Sequence, residues 1–387
     1  MSRRQDRILA LRGEIPEVTP REATTLMEKG AVLIDIREPT EIAAGAPRGA
    51  LHLPRAFLEL RIEERVPDVG RTILLSCETG LRSLFAADGL RRLGYADVRS
   101  VAGGYVRWQA DGLPIEAPRG LSSADRERYA RHLSIPGVGE EGQRKLLEGR
   151  VLCVGAGGLG SPVAMYLAAA GVGHLRVVDH DVVDRSNLQR QLLHTDDRVG
   201  MAKVESARRT LAALNPGIEI EALRVRLGTD NVEELMRGCD VVVDGTDNFA
   251  TRYLVNDACV HLGIPNVHGA IFRFEGQVST FWPRSPTTRG PCYRCVFPAP
   301  PPPELAPNCA EAGVLGVLPG VIGTLQAVET VKLLLGLGEP LVGRLLLYDA
   351  LAARFLELEQ RRDPDCPLCA DGRAFPGYQQ LAAICRS

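Results

Sequence analysis

The stretch from Arg150 to Asp181, RVLCVGAGGLGSPVAMYLAAAGVGHLRVVDHD, constrains the fold more than any other part of the chain. A short apolar run, Val151–Val154, predicts a buried parallel strand. A glycine-rich turn follows it and leads into a helix predicted over Ser161–Ala170. A second apolar run, Leu175–Val178, ends at Asp179. This order of strand, glycine turn, helix, strand and acid predicts a nucleotide-binding unit in a Rossmann-like α/β domain.

The glycines and the acid of this unit are predicted to hold the nucleotide. Glycine lets the backbone turn tightly and lets a phosphate approach the helix N-terminus, where free N–H groups and the helix dipole favour an anion. The acid that ends the second strand lies where a ribose hydroxyl would be held. The pattern alone fits ATP and also NAD, so an NAD-dependent dehydrogenase stays open at this point. The predicted nucleotide-binding residues here are Gly155, Gly157, Gly158, Gly160 and Asp179.

Composition limits the class of protein. The 387 residues are enough for two domains, and a net charge of -2 argues against a nucleic-acid or membrane surface. The most apolar stretch, residues 314–338, contains Gln326, Glu329 and Lys332 and is predicted to be a buried helix rather than a membrane span. The basic start MSRRQDR leads into no long apolar core, and several of the ten cysteines form C-x2-C pairs. We therefore predict a protein of the reducing cytoplasm, whose cysteines serve metal binding or catalysis.

The chain is predicted to consist of a flexible polar tail, a first α/β domain, a linker and a second α/β domain. Their predicted bounds are 1–12, 13–117, 118–122 and 123–387. In the first domain, the apolar runs 31–35 and 71–76 are predicted to be buried strands.

The heptapeptide CETGLRS, residues 77–83, follows the second of these strands and precedes a helix predicted to start at about Ser83. The short loop can turn its N–H groups inward and form an anion nest, which would stabilise a thiolate or a persulfide on Cys77. Arg82 adds a fixed positive charge. The alternative is a buried structural cysteine beside a surface arginine. We predict that Cys77 and Arg82 are catalytic.

Four segments of the first domain resemble a single rhodanese domain, namely IDIREP, GALHLP, CETGLRS and GGYVRW. The resemblance covers nearly all of residues 14–117 and implies that Cys77 carries sulfur as a persulfide. Phosphatases share this fold, but their loop has one residue more between cysteine and arginine, so the C-x4-R spacing favours sulfur. Glu78 is a departure, because an acid beside the nucleophile opposes thiolate formation.

Residues that suit phosphate binding follow the glycine stretch in the second domain. Asn187 and Arg190 are spaced i, i+3 on a predicted helical turn and so share a face. Lys203 is predicted in the first turn of the next helix, where a cation opposes the helix dipole and a bound anion would compensate for it. The alternative is scattered surface charge, because charged residues are mostly exposed.

A further buried strand, predicted over residues 239–243, leads to the sequence DGTDN. Its second acid, Asp247, stands at the carboxyl end of a parallel strand, where α/β proteins bind ligands. A carboxylate there would hold Mg²⁺ against nucleotide phosphates, or it would cap the helix predicted over Phe249–Leu262. We favour the metal contact because the nucleotide site lies at the same edge of the sheet.

Two C-x2-C pairs predict a structural zinc site, because four thiolates fill a tetrahedral shell and leave no open position. The predicted ligands are Cys292, Cys295, Cys366 and Cys369. The alternative is a set of unpaired buried thiols.

Three further residues lie outside these patterns. Cys309 lies in a long stretch without predicted secondary structure, and such a stretch inside a compact domain is usually functional. Arg131 lies on a helix that begins after the N-cap Ser122, and by composition it would be a solvated surface residue. Cys385 has no evident role.

Seven motifs of the second domain, in this order and spacing, are similar to the MoeB/ThiF family, the bacterial relatives of ubiquitin-activating enzymes: GAGGLG, SNLQRQ, VGMAKVESA, DGTDNF, CYRC, NCAEAGVLG and CPLC. The resemblance runs from about residue 123 to residue 369. It implies ATP at the glycine loop with Asp179 on the ribose. It also implies phosphate contacts from Asn187, Arg190 and Lys203, with Mg²⁺ near Asp247, and Asn248 is predicted to bind the cofactor as well.

The resemblance further implies a homodimer and a reactive cysteine. Arg131 matches an arginine that family members insert into the ATP site of the neighbouring subunit, and Cys309 matches the family's reactive cysteine on the crossover loop. In fused members of the family the rhodanese domain usually follows the adenylating domain, whereas here it precedes it. The geometry between the domains is therefore not implied.

Together the resemblances imply an adenylyltransferase with sulfurtransferase activity. The family reaction is ATP-dependent adenylation of the C-terminal glycine of a ubiquitin-like sulfur carrier ending in Gly-Gly. A terminal carboxylate is already ionised at neutral pH, so it needs positioning and positive charge rather than a general base. The Cys77 persulfide is then predicted to displace AMP. Cys309 would resolve the acyl disulfide to release a thiocarboxylate, or it would only line the carrier channel.

The sulfur donor and the carrier are not identified by the sequence. A cysteine desulfurase is the kind of donor expected, and carriers of molybdopterin biosynthesis, thiamine biosynthesis and related thiolation routes all fit. A module that binds a carrier without activating it is the remaining alternative.

Overall fold

The computed structural model describes residues 3–42, 45–116, 121–301 and 313–378. The chain divides into two compact units, residues 1–120 and 121–387. Each unit has its own sheet and its own hydrophobic core.

The N-terminal unit is an α/β unit. Its strands are β1 Glu17–Val18, β2 Val32–Asp35, β3 Ala46–Pro47, β4 Leu51–His52, β5 Ile73–Ser76, β6 Val98–Val101 and β7 Ile115–Glu116. Its helices are α1 Arg3–Glu14, α2 Pro20–Glu28, α3 Pro39–Ile42, α4 Leu58–Arg65, α5 Leu81–Arg92 and α6 Gly104–Ala110. Among the described residues, five strands form a parallel sheet in the order β1-β6-β5-β2-β4, and β3 pairs antiparallel with β7.

The central strands of this sheet are buried on both faces. In β5, Ile73 and Leu75 pack into the core that contains α1, α4 and α5, whereas Leu74 packs into the core that contains α2 and α6. A parallel sheet covered on both faces requires such uninterrupted apolar strands, as the sequence predicts here. The residue after β5 is Cys77, which therefore lies at the carboxyl edge of the sheet.

The flexible tail predicted over residues 1–12 is corrected by the structure. Residues 3–14 form α1, in which Leu11 is fully buried against the first core together with Ile15 and the partly buried Ile8. These three residues are spaced i, i+3, i+7, which places Ile8 and Leu11 of the helix and the following Ile15 on one apolar stripe. Arg7 also pairs with Asp88 of α5 at 2.9 Å. The many arginines of this segment masked its stripe in the sequence.

The C-terminal unit is built on a mixed sheet. Its strands are β8 Arg150–Val154, β9 His174–Val178, β10 Glu219–Leu223, β11 Val241–Asp244, β12 Asn266–Phe272, β13 Glu275–Phe281, β14 Arg344–Asp349 and β15 Arg354–Glu359. Its helices are α7 Ser123–Arg128, α8 Ala130–Leu133, α9 Gly139–Glu148, α10 Gly160–Ala170, α11 Lys203–Leu214, α12 Val232–Met236, α13 Phe249–Leu262, α14 Tyr293–Val296 and α15 Leu318–Leu335. The order of strands is β10-β9-β8-β11-β12-β13-β14-β15, parallel as far as β12 and antiparallel from there.

The strand order changes direction at β8. Strand β9 pairs with one side of β8, and β11 pairs with the other. The loops that follow β8 and β11 therefore diverge and leave a crevice at the carboxyl ends of the strands, which is where open α/β sheets bind ligands. The predicted Rossmann-like α/β fold is confirmed, and its first strand, helix and second strand each begin one residue earlier than predicted.

Helix α15 is, among the described helices, the one that is long and apolar enough to cross a membrane by length and composition alone. It packs against α10, β12 and β13 within the C-terminal unit. Its Gln326 is fully buried and donates hydrogen bonds to the carbonyl oxygens of Asp244 and Val267, at 2.8 and 3.1 Å. These contacts with the sheet make α15 a core helix, as the sequence predicts.

Candidate active sites and metal centre

A cleft opens at the carboxyl ends of β9, β8 and β11. It brings together most of the residues that the sequence predicts to bind a nucleotide. Those that line it are Gly155, Gly157, Gly158, Asp179, Arg190, Lys203, Asp247 and Asn248.

The glycine loop requires glycine at two positions for different reasons. Gly155 has a φ of +96°, which residues with a side chain rarely adopt. A Cβ on Gly160 would overlap the carbonyl oxygen of Gly155, so this glycine allows α10 to begin close to the strand. Gly160 thus shapes the loop from behind, whereas Gly157 and Gly158 face the cleft.

Asp179 ties the end of β9 to the glycine loop. One carboxylate oxygen accepts a hydrogen bond from the backbone N–H of Ala156, and the other accepts one from the N–H of Asp181, both at 2.9 Å. The carboxylate is therefore held at the edge of the cleft, and each of its oxygens has a further lone pair that can accept a hydrogen bond. Its contact with a ribose stays a prediction.

The cation of Lys203 has a partner within the chain. Its Nζ lies 3.0 Å from Oδ2 of Asp181, and the residue is 7% exposed. Burial alone would raise the pKa of Asp181, but the hydrogen bond and the charge of Lys203 hold it below its usual value. The sequence indicates that Lys203 needs an anion, and the structure adds that one is already supplied by a carboxylate that also lines the cleft.

Of the predicted pair Asn187 and Arg190, only Arg190 lines the cleft. The predicted helical turn is a short 3-10 helix, Arg185–Asn187, in which the Asn187 side chain accepts a hydrogen bond from the N–H of Asp184 at 3.2 Å. Among the described residues that line the cleft, Arg190 is present and Asn187 is not. Asn187 therefore shapes the turn that presents Arg190.

Asp247 and Asn248, which follow β11, have different roles. Asn248 is the N-cap of α13, where its side chain accepts a hydrogen bond from the N–H of Thr251 at 2.9 Å. Asp247 therefore does not cap the helix, and the capping alternative is wrong for it. Its side chain is exposed in the cleft, where it would be the residue to hold Mg²⁺.

Arg131 lies on α8 with an exposed side chain, and it is not among the described residues that line the cleft of its own chain. A role in the ATP site of a neighbouring subunit stays a prediction.

In the N-terminal unit, Cys77 is fully buried at the start of the predicted loop. Its Sγ accepts a hydrogen bond from the N–H of Gly80 at 3.2 Å and lies 3.5 Å from the hydroxyl oxygen of Ser83. The carbonyl oxygen of Cys77 accepts a hydrogen bond from the N–H of Tyr105 at 2.8 Å, which anchors the loop on α6. A sulfur anion at this position would be stabilised by donors that are already in place.

The charges beside Cys77 are paired. Arg82 donates to both carboxylate oxygens of Glu41, and its hydrogen bond lowers the pKa of Glu41 to about 2. Glu78, whose acidic side chain seemed to oppose a thiolate, pairs with the buried Arg37 at 3.2 Å. Arg37 also pairs with Asp35 at 2.8 Å. The charge of Glu78 is therefore directed into this network instead of standing alone beside the sulfur.

Comparison with known proteins settles the family. Residues 129–368, more than half of the chain, match the ThiF family, and residues 19–111 match the rhodanese-like domain. The chain belongs to the ThiF family. Both resemblances found in the sequence are confirmed, and the N-terminal unit is a rhodanese-like domain.

Relatives of this ThiF-family chain are similar over much of its length. A sulfur carrier protein adenylyltransferase from Thermus thermophilus is 56% identical over 248 residues, which are 63% of this chain and 91% of that protein. The probable adenylyltransferase/sulfurtransferase MoeZ from Mycobacterium tuberculosis is 49% identical over 270 residues, 70% of this chain and 68% of that protein. The crystal structure of E. coli MccB with MccA-N7isoASN has a TM-score of 0.56 at 22% identity, over 63% of this chain and 75% of that one. This last likeness concerns the fold alone.

The ThiF-family domain brings four cysteines together. The Sγ–Sγ distances are 3.8 Å for Cys292–Cys295, 3.7 Å for Cys292–Cys366 and 3.4 Å for Cys295–Cys369. A tetrahedron with Zn–S bonds of about 2.3 Å has edges of about 3.8 Å, so the four thiols have the spacing that zinc requires. All four sulfur atoms lie within 4.8 Å of one another, so these residues would hold Zn²⁺.

This cysteine cluster is attached to α13. Val260 of that helix packs with the cysteines and with Leu368, and Arg294 forms two hydrogen bonds of 2.7 Å with Asp257. Because α13 begins next to Asp247, the cysteine cluster and the cleft lie at the two ends of one helix.

We expect the Cys366→Ser variant to lose about one zinc ion per chain and to melt at least about 5 °C lower, because metal binding to such a site is also folding free energy. Metal analysis and thermal denaturation measure both effects. Cys239→Ser is the matched control, since Cys239 is a half-buried cysteine outside the cluster. Full zinc content in Cys366→Ser would contradict the assignment of the cluster.

Besides Cys239, four cysteines remain outside the cluster and the rhodanese loop, and they form two groups. Cys153 and Cys259 are buried in the core, and burial raises the pKa of Cys153 to about 12, so it is a poor nucleophile. Cys309 and Cys385 lie outside the described residues, and the role predicted for Cys309 stays a prediction.

Two residues of the site are missing from the sequence-based prediction. Arg252 lines the cleft and donates hydrogen bonds to the carbonyl oxygen of Thr246, at 3.2 and 2.9 Å. It stands in the first turns of α13, and a cation near a helix N-terminus is the same signal that identified Lys203.

His194 is the second missed residue. Its Nε2 donates to the carbonyl oxygen of Ala156 at 2.9 Å, and its Nδ1 accepts from the hydroxyl of Ser206 at 3.0 Å. Burial lowers the pKa of His194, which agrees with this neutral form. It joins the glycine loop to α11, and no spacing in the sequence signals that contact.

Proposed function

We propose that this ThiF-family protein uses ATP to adenylate the C-terminal glycine of a ubiquitin-like sulfur carrier and that its rhodanese-like domain then delivers sulfur to give a thiocarboxylate. One observation carries the proposal. A glycine loop, the side chains of Arg190, Lys203 and Arg252, and the exposed carboxylate of Asp247 converge on one cleft at the switch point of the sheet. The relatives named above as adenylyltransferases support it.

The cleft suits attack of one anion on another. The carboxylate of a terminal glycine is ionised at neutral pH, so no proton has to be removed before it attacks the α-phosphate. The barrier lies in bringing two negative groups together, and fixed positive charge lowers it. Arg190, Lys203 and Arg252 supply that charge, and Arg131 of a second subunit would add to it in a homodimer. Mg²⁺ held by Asp247 would neutralise phosphate charge.

Sulfur is transferred in two nucleophilic displacements. The outer sulfur of the Cys77 persulfide attacks the acyl carbon of the adenylate, the acyl–oxygen bond breaks, and AMP leaves with the electron pair. The thiolate of Cys309 then attacks Sγ of Cys77, the bond between the two persulfide sulfurs breaks, and the thiocarboxylate leaves. The resulting Cys77–Cys309 disulfide takes two electrons from a thiol reductant of the cytoplasm. A persulfide donor such as a cysteine desulfurase reloads Cys77.

The test is ATP–pyrophosphate exchange by the full chain with a panel of carriers that end in Gly-Gly. Carriers of molybdopterin biosynthesis, thiamine biosynthesis and related thiolation routes belong in the panel. We expect one of them to stimulate exchange, which would establish the adenylation and identify the carrier. No exchange with any carrier, at full zinc content and adequate Mg²⁺, would favour a module that binds a carrier without activating it.

A further inference from the structure

A buried polar pair lies beneath the turn that carries Asp247. Asp244, the last residue of β11, is 1% exposed. Its Oδ1 accepts hydrogen bonds from the backbone N–H of Thr246 at 3.0 Å and from the hydroxyl of Thr246 at 2.6 Å. Its Oδ2 lies 3.0 Å from Nδ1 of His268 on β12. The Asp244 carboxylate therefore joins the residue before Asp247 to the neighbouring strand.

His268 forms a hydrogen bond through only one of its two ring nitrogens within the described residues. The side chain is fully buried, and burial lowers its pKa, which keeps the imidazole neutral with its proton on Nδ1. Nε2 has no hydrogen-bond partner among the described residues. The rings of Tyr293 and Phe281 pack against the imidazole at centroid distances of 5.1 and 5.8 Å. Burying the unpaired Nε2 costs free energy that an apolar side chain of similar size would not cost. The contribution that only the imidazole makes at this position is therefore its hydrogen bond to Asp244.

The same turn is held from its other side. The carbonyl oxygen of Thr246 accepts hydrogen bonds from Nε and from one terminal nitrogen of Arg252. Asp244 thus fixes the N–H of Thr246 and Arg252 fixes its carbonyl group, so both backbone polar groups of the residue before Asp247 are restrained. Asp247 itself makes no hydrogen bond through its carboxylate with any of the described residues and stays free to face the cleft.

We propose that Asp244 and His268 are positioning residues, which hold the Thr246–Asp247 turn so that the Asp247 carboxylate faces the phosphates of bound ATP. The proposal rests on the proposed function. Without His268, one oxygen of a buried carboxylate loses its donor, and Asp244 is free to turn away from Thr246 or to admit water. A displacement of about 1 Å at a group that positions reactants costs roughly 100-fold in rate.

The experiment compares full-length variants in carrier-stimulated pyrophosphate exchange, as a function of Mg²⁺ concentration. We expect His268→Leu to lower kcat/KM for ATP by roughly 10- to 100-fold and to raise the Mg²⁺ concentration for half-maximal exchange. His268→Asn places an N–H donor near the position of Nδ1 and should recover most of the loss. Ser279→Ala is the matched control. Ser279 pairs with His268 across the β12–β13 ladder and is equally buried, but its hydroxyl bonds Arg344 and Gln360 instead.

A double variant separates positioning from general destabilisation. If His268 acts through Asp247, adding His268→Leu to Asp247→Asn should lower exchange by no more than about twofold beyond Asp247→Asn alone. The proposal would be overturned if the losses of exchange in the two single variants multiply in the double variant. It would also be overturned if His268→Leu keeps the Mg²⁺ dependence of the wild type. Should His268→Leu fail to fold, Thr246→Ala removes the hydrogen bond from the Thr246 hydroxyl to Asp244 and keeps the one from the backbone N–H. This variant must then show a shift in Mg²⁺ dependence in the same direction.

The outcomes also separate this proposal from the proposed function. Failure of the proposed function appears in the wild-type protein, as absence of exchange with every carrier, and it overturns both. Failure of the positioning role appears only in the His268 and Thr246 variants, against an active wild type and an impaired Asp247→Asn variant.

Discussion

Replacing Lys203 with alanine is expected to lower kcat/KM for carrier-stimulated pyrophosphate exchange by about 100- to 1000-fold. The Lys203 ammonium lies 3.0 Å from the carboxylate of Asp181, and both residues line the cleft. The pKa of Asp181 lies below its usual value, so this carboxylate is ionised at neutral pH. The variant would lose a cation and would also leave the Asp181 carboxylate facing the phosphates of ATP without its lysine partner.

A charge-matched series tests this explanation. Asp181→Asn keeps the lysine and should lower exchange by less than about tenfold, whereas Lys203→Ala combined with Asp181→Asn should recover part of the loss seen in Lys203→Ala alone. Recovery would show that the unpaired carboxylate of Asp181 contributes to the loss of exchange in Lys203→Ala. Near-normal exchange in Lys203→Ala, with an unchanged melting temperature, would contradict a phosphate-binding role for this lysine.

Replacing Cys77 with alanine is expected to abolish thiocarboxylate formation while leaving pyrophosphate exchange within about twofold of the wild-type rate. The persulfide needs this sulfur atom, which is held by the N–H of Gly80 in the rhodanese-like domain. The adenylation residues all belong to the other compact unit. The mass of the carrier after incubation with ATP and a persulfide donor measures the sulfur transfer, and exchange is measured in parallel.

Two further cysteine variants sharpen this test. Cys239→Ala is the control, because Cys239 is a half-buried cysteine outside the rhodanese loop and the zinc cluster, and it should leave both activities intact. Cys309→Ala should trap the carrier on Cys77 as a reducible acyl disulfide. Thiocarboxylate formed at the wild-type rate by Cys309→Ala would make that cysteine a bystander. A normal thiocarboxylate yield in Cys77→Ala would contradict the whole scheme.

Elements that depend on local patterns could be predicted almost to the residue. Helix α13 has the bounds predicted, Phe249–Leu262, because its N-terminal turn residues and its closing glycine lie in the sequence itself. The cysteine cluster could be predicted equally well, since a C-x2-C pair forms half of a tetrahedral site within one local turn. Helix α1 was missed because its short apolar run, residues 8–11, stands among four arginines and shows little helical periodicity by itself.

Partners that depend on strand order could not be predicted. Asp181 pairs with Lys203 across 22 residues, Glu41 with Arg82 across 41, and Asp244 with His268 across 24. Asp244 and His268 are register partners of β11 and β12, Glu41 and Arg82 lie on α3 and α5, and Lys203 begins α11. Nothing in the residue spacing specifies which of these elements become neighbours. The sequence therefore identified Lys203 and Arg82 as charged site residues, but it did not reveal the carboxylates with which they pair.

The position of the last zinc ligand has a consequence for how the enzyme matures. Synthesis proceeds from the N-terminus at about 5–20 residues per second, so roughly 12–50 s separate the end of the first compact unit at residue 120 from the appearance of Cys369. During that interval the N-terminal unit is fully synthesised, while the cysteine cluster that packs against α13 is incomplete. None of its members exists before Cys292, and only two exist between Cys295 and Cys366. We therefore expect the order of the two domains along the chain to let the nascent protein accept sulfur on Cys77 before it can use ATP.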